Sequence, residues 1–215
     1  MASPTSGPAP ESLLGAQTQR VSTGTDAGPE DLEATEHLRE TQTSRRIIYP
    51  GRLLTFYEDD VQLADGTVAQ REVVAHPGAV AIVAIDDDEK VVLVRQWRHA
   101  IGRALWELPA GTRDAGEAPA RTAERELAEE TGLRTAQITP LASAPLTPGY
   151  STEVMHFFVA VDLTEGPTNR DADERMDVQR FDRAGVAELV RRGEVDVKTI
   201  AGLGLAGWST NINAG

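Results

Sequence analysis

GTRDAGEAPARTAERELAEETGL (111–133) sets Glu124, Glu126, Glu129 and Glu130 within two turns of a helical pattern, with Gly111 ahead and Gly132 behind. Carboxylates at that spacing repel one another unless positive charge sits among them. Pro119 suits a first helical turn and Gly132 suits the residue just past a helix end, so a helix is expected over 118–131. At about 100° per residue, Ala120, Ala123 and Leu127 share one side, which is read as the core side. Glu126 and Glu130 are four apart and lie one above the other, with Glu129 on the next row. Three carboxylates thereby converge on a strip at the edge of the buried face. Hard divalent cations such as Mg²⁺ take oxygen ligands of this kind. A solvated ionic face has a related look, because Arg121 and Arg125 alternate with the acids and give Glu117–Arg121 and Arg125–Glu129 at i,i+4. Spacing alone does not separate the two readings.

Outward from the helix, residues 45–78 alternate and carry Asp65-Gly66 between two strand-like runs, which predicts a hairpin. AVAIVAI (79–85) and KVVLVRQWR (90–98) are β-rich runs joined by a polar turn, and ALWELPAG (104–111) reads as one short strand ending in a loop. After the helix, strands are expected over about 138–144, 153–163 and 176–181. The loops between them are LTPGYST (146–152) and the acidic TEGPTNRDADER (164–175). Asp182 and Asp196 are placed to cap two closing helices, the first running to Arg192 and stopped by Gly193. Strands, a helix, strands and two helices predict an α+β fold, a mixed sheet with helices on its faces. Residues 1–44 contain no aromatic residue and are rich in Ser, Thr, Pro, Gly, Ala and Glu, a composition expected of a disordered tail. The expected organisation is therefore a tail over 1–44, a β extension over 45–78 and the main domain over 79–209.

The 215 residues include no cysteine, so disulfides and thiolate metal sites are excluded and a cytoplasmic location is expected. No secretory signal and no membrane span is read from the sequence. A net charge of -13 opposes binding to nucleic acid backbones and anionic membranes. An anionic substrate would then need a bound cation or a few arginines to attract it.

The opening stretch also resembles the Nudix box: Gly, five residues, Glu, seven residues, Arg-Glu, an apolar residue, one residue, Glu-Glu, one residue, Gly and an apolar residue. Gly111, Glu117, Arg125, Glu126, Leu127, Glu129, Glu130, Gly132 and Leu133 fill every defined position. The resemblance implies a Nudix fold and hydrolysis of a nucleoside diphosphate linked to another group. It implies that Glu126 and Glu130 bind catalytic cations, that Glu129 adds a ligand or hydrogen bond, and that Arg125 braces the helix by pairing with an acid.

Similarity to ADP-ribose pyrophosphatases of that family extends over roughly 45–207. RQWRHAIGRALWELPAG resembles the segment leading into their box, where the carbonyl at the place of Ala110 binds a cation. Pro148 stands 16 residues after Gly132, as in those enzymes. The resemblance further implies substrate contacts for Arg71, across a dimer interface, and for Arg98 on phosphate, with Glu107 in the same set. Tyr49 is the first choice to stack on adenine, with Phe56 and Trp97 as alternatives, while Trp106 is read as packing. A glutamate on a late loop is implied as general base. Glu174 is chosen, with Asp171 or Asp173 as alternatives. The expected activity is Mg²⁺-dependent hydrolysis of ADP-ribose by a homodimer, with Mn²⁺ as a substitute ion. Nucleotide sugars or dinucleoside polyphosphates as substrates, and a non-catalytic ADP-ribose sensor, stay open.

Overall fold

A computed structural model of the chain describes residues 34–168 and 175–208. Among these residues, ten strands and three complete α-helices follow one another as β1 (Glu40–Pro50), β2 (Thr55–Leu63), β3 (Val68–Ala75), β4 (Ala79–Ala84), β5 (Val91–Arg98), β6 (Arg103–Glu107), β7 (Ala110–Thr112), α1 (Pro119–Thr131), β8 (Leu133–Pro145), β9 (Val154–Glu165), β10 (Met176–Phe181), α2 (Arg183–Arg191) and α3 (Val197–Leu205).

The strands form three sheets, ordered β1-β2-β3, β10-β5-β6 and β7-β4-β9-β8. The four-stranded sheet is mixed: β4 pairs parallel with β9 and antiparallel with β7. All six residues of β4 are buried, as a central strand covered on both faces requires. Val80, Ile82 and Ala84 point to one side, where they pack with Ala123 and Leu127 of α1. Ala81 and Val83 point to the other, into a core with Leu93, Leu108, Phe157, Val186 and Leu203. The sheet is thus held between α1 and a second layer made of the β10-β5-β6 sheet, α2 and α3. Trp106 is buried in that second layer, edge-on to Phe181 at 4.8 Å.

Three expectations are corrected here. Order begins earlier than residue 45: Glu36–Leu38 is a 3-10 turn and β1 starts at Glu40, within the segment expected to be a tail. Every residue of β1 is exposed, so it has no apolar alternation to betray it. Cross-strand polar pairs hold it instead, with Ser44 Oγ 2.7 Å from Asp60 Oδ2 and Arg45 forked onto Asp59 at 2.8 and 2.7 Å. Residues 1–33 lie outside the described residues.

Residues 104–111 are not one strand. The chain leaves the β10-β5-β6 sheet after Glu107 and joins the other sheet at Ala110, with the Pro109 carbonyl accepting from the Ile82 amide at 2.9 Å. Finally, β8 begins at Leu133, directly after α1, rather than near 138.

The caps follow the reading of the sequence. Gly132 is left-handed at φ 74, closing α1. Asp182 accepts from the Gly185 amide, and Asp196 accepts from the Thr199 amide. Gly66 at φ 87 turns the β2–β3 hairpin, with the Asp65 carboxylate accepting from the Thr67 amide at 2.9 Å. Among the described residues no helix is long and apolar enough to cross a membrane.

Candidate active site

The site is built where β7 turns into α1. Burial of Ala123 and Leu127 fixes the rotation of the helix, and this brings Glu126 and Glu130 against Ala110 and Gly111. Glu130 is only 4% exposed, and its Oε2 accepts from the Ala110 amide at 3.0 Å. The Glu126 carboxylate lies over Gly111 so closely that any Cβ at position 111 would overlap it. The glycine is there for space, since its φ is not in the left-handed region.

Arg125 ties the helix to the loop before it. Its Nε and Nη2 donate to the Glu117 carboxylate at 3.2 and 3.0 Å, and Nη2 also reaches the Thr112 carbonyl at 3.3 Å. Its Nη1 donates to Glu126 at 2.7 Å and to Glu129 at 3.0 Å. The guanidinium supplies the positive charge that a crowd of glutamates needs. The hydrogen bond from Arg125 is the main reason the Glu117 carboxyl falls to about 2, with the Thr122 hydroxyl helping against a burial effect that opposes it. The same pairing raises Arg125 above its ordinary value. Arg121 pairs with Glu124 at 2.7 Å instead of with Glu117, because Glu117 precedes the helix and helical spacing does not apply to it.

The donor set fits a hard divalent cation. It offers oxygen only, on adjacent turns of one helix, beside a backbone left open at Gly111. As the side chains stand, no three acidic or histidine groups among the described residues come together to ligate an ion. At this strip Arg125 Nη1 donates to both Glu126 and Glu129.

Arg98 ends β5 with its guanidinium side-on to Glu107, Nε donating to Oε1 at 2.6 Å. Glu107, expected among the substrate contacts, is 1% exposed and has both oxygens taken, by Arg98 and by Lys198. It sits behind Arg98. Burial pushes its carboxyl up, but the Arg98 hydrogen bond and the Lys198 charge outweigh burial and hold it below the usual range. Arg98 is raised chiefly by its bond to Glu107, with smaller contributions from the charges of Asp196 and Glu130.

The other expected contacts lie further out. Arg71, on β3, is paired with Glu40 of β1 and donates to the Gln70 carbonyl at 2.9 Å. Tyr49 is 60% exposed, edge-on to Phe56 at 6.3 Å. Trp97 is exposed on β5. Pro148 is exposed in a turn, and the residues after it bond to β3: the Val74 amide donates to the Tyr150 carbonyl at 2.7 Å, and the Thr152 amide donates to the Val74 carbonyl at 3.0 Å. Glu174, Asp171 and Asp173 lie outside the described residues. Lys198, Asp196 and Thr199 take part in the surroundings of Arg98, and the sequence reading gave them no functional role beyond the Asp196 cap. No local pattern marks them, since Lys198 and Glu107 are 91 residues apart.

Comparison with known proteins places the chain in a family. The NUDIX domain model matches residues 75–199. The chain is 41% identical over 169 residues to an ADP-ribose pyrophosphatase of Mycobacterium tuberculosis (strain ATCC 25618 / H37Rv), covering 77% of this chain and 81% of that protein. It is 37% identical over 165 residues to an ADP-ribose pyrophosphatase of Bacillus subtilis (strain 168), covering 75% of this chain and 89% of that one. A methanol dehydrogenase activator of Bacillus methanolicus is 37% identical over 156 residues, covering 71% and 84%. The crystal structure of an ADP compounds hydrolase superposes with a TM-score of 0.70 at 24% identity, over 79% of this chain and 93% of that chain, which shows the shared fold. With every defined position of the box filled and the helix that carries it packed on a mixed sheet, the chain belongs to the NUDIX family.

Proposed function

We propose that the protein hydrolyses the diphosphate of ADP-ribose, giving AMP and ribose 5-phosphate, with Mg²⁺ as the working ion. The observation that carries this is the approach of Glu126 and Glu130 to the Ala110–Gly111 backbone in a chain similar to two ADP-ribose pyrophosphatases. Water adds to one phosphorus, the bond to the bridging oxygen breaks, and the proton of the water passes to a base.

Hydrolases of this family use divalent cations. Glu126, Glu129, Glu130 and the Ala110 carbonyl would hold such an ion here. When bound, it neutralises phosphate charge and makes water a better nucleophile. The rest is done by the chain. Arg125 keeps the acidic strip in place through Glu117. Arg98 offers its free edge to the phosphates, and a guanidinium matches that geometry. Arg71 and the turn at Pro148 contact the substrate further out, and Tyr49 stacks on adenine. Glu174 takes the proton, with Asp171 and Asp173 as its alternatives. Two copies assemble through the exposed Ile47 and Ile48 of β1. A monomer mass by light scattering at micromolar concentration would remove that element of the proposal.

The test of the activity is a hydrolysis panel with Mg²⁺: ADP-ribose, ADP-glucose, GDP-mannose, NADH and diadenosine tetraphosphate. ADP-ribose is expected to have the highest kcat/KM. Preference for another compound would move the substrate assignment, and no turnover of any would end it.

A further inference from the structure

Four charged side chains meet at the start of α3, around a buried pair. Glu107 is 1% exposed and Lys198 is 8% exposed. Lys198 Nζ donates to Glu107 Oε2 and to Asp196 Oδ2. Glu107 Oε1 and Oε2 accept from Arg98. Buried ion pairs are poor stabilisers, because desolvation of each charge consumes most of the attraction, and well-packed apolar residues often do as well. Their presence needs another reason.

The same helical turn grips the neighbouring backbone. Thr199, fully buried, accepts at Oγ1 from the Leu108 amide at 3.0 Å. A Cβ on Gly202 would approach the Leu108 side chain to 2.5 Å, so α3 sits as near to this segment as it can. Two residues further on, the Ala110 amide bonds to Glu130. One turn of α3 therefore holds both Glu107, which backs Arg98, and the segment that leads to the acidic strip.

We propose that Lys198 is a positioning residue for Arg98, acting through Glu107. This rests on Arg98 meeting the substrate's phosphates, as assigned above. Charge gives the reason. Arg98 and Glu107 alone form a neutral pair that draws the guanidinium inward. With Lys198 sharing the carboxylate, the pull of Glu107 is divided between two cations, and Arg98 keeps more of its attraction for an anion. Asp196 binds Lys198 through Oδ2 and caps α3 through Oδ1, so the four side chains together are neutral and Lys198 is itself held in place.

The experiment uses the full chain as wild type, Lys198→Met, Arg98→Met and the double variant, with ADP-ribose and Mg²⁺. Lys198→Met is expected to lower kcat/KM about 10-fold, mostly through KM, at the low end of losses when a partner orienting a site's ligand is removed. In the Arg98→Met background the same change should cost less than about 2-fold, because the residue it acts through is gone. Equal losses in both backgrounds, or none in the wild type, would overturn the proposal. An independent readout is the Arg98 Nε–H resonance, identified by its disappearance in Arg98→Met. It should shift in Lys198→Met, and an unchanged signal also counts against the proposal. If Lys198→Met does not fold, Glu107→Gln/Lys198→Met removes both charges together and is expected to show the same rise in KM. A wild type without ADP-ribose turnover would refute the substrate assignment, while the resonance still decides whether Lys198 sets Arg98.

Discussion

Arg125 and Arg98 are both held by glutamates, and the two arrangements have little else in common. The partners of Arg125 lie within 13 residues of it, on α1, the loop before it and the end of β7, and its side chain is 31% exposed. The partner of Arg98 is buried, and the lysine that completes the group arrives from a helix 91 residues away. The first arrangement gathers negative charge for a cation. The second, on the proposal above, spends buried charge to aim one guanidinium. Local sequence therefore writes the chemistry, and the tertiary fold sets its direction.

The largest effect expected from this contrast is on the acidic strip. Glu126→Gln and Glu130→Gln should each lower kcat by about 100-fold or more, the loss typical when charge stabilisation of a transition state is removed. Steady-state kinetics with saturating Mg²⁺ would show it, and near-normal kcat in either variant would mean the strip is not where the reaction is catalysed. Gly111→Ala is a milder probe that leaves every charge in place. The nearest atoms the added methyl meets all belong to the end of the Glu126 side chain, which can swing aside. We expect a folded protein with kcat about 10- to 100-fold down, in the range found when ligand orientation is disturbed. Full activity would show that the Glu126 position seen here is not needed.

The smallest effect concerns stability in acid. Glu117 titrates at about 2 in the folded state against an ordinary 4.5, chiefly through its bond to Arg125. A value depressed by folding contributes stability that is complete above the unfolded value and is lost as pH falls from there toward 2. Thermal melts of wild type and Glu117→Gln should therefore differ at neutral pH and converge as pH falls to about 2. A difference that stays constant down to pH 2 would show that Glu117 is not depressed by its bond to Arg125, and coincident curves would show that the bond contributes nothing to the fold.

How much of this the sequence discloses depends on range. The α1 helix is legible because Pro119, Gly132 and the apolar spacing are all local signals, and the observed helix starts one residue after its expected position. The hairpin at Gly66 and the Asp caps are legible for the same reason. The start of β1 is hidden because a strand held by Ser, Thr and Arg pairs shows no alternation of apolar residues. The break at Leu108–Pro109 is hidden because both halves of that run are apolar and only the sheet order separates them. The resemblance marks the strip on α1 and names Arg98. Nothing in it or in the spacing marks Lys198, because a buried lysine on a short helix looks like any other before its partner is placed.

The two main-chain bonds joining Val74 to Tyr150 and Thr152 have a mechanical meaning. They seam the last residues of β3 to the turn that holds Pro148, so that the β1-β2-β3 sheet cannot tilt on the rest of the molecule without either dragging that turn along or rupturing the seam. Substitutions that loosen this junction would disturb Arg71 and Pro148 together, as one mechanical unit.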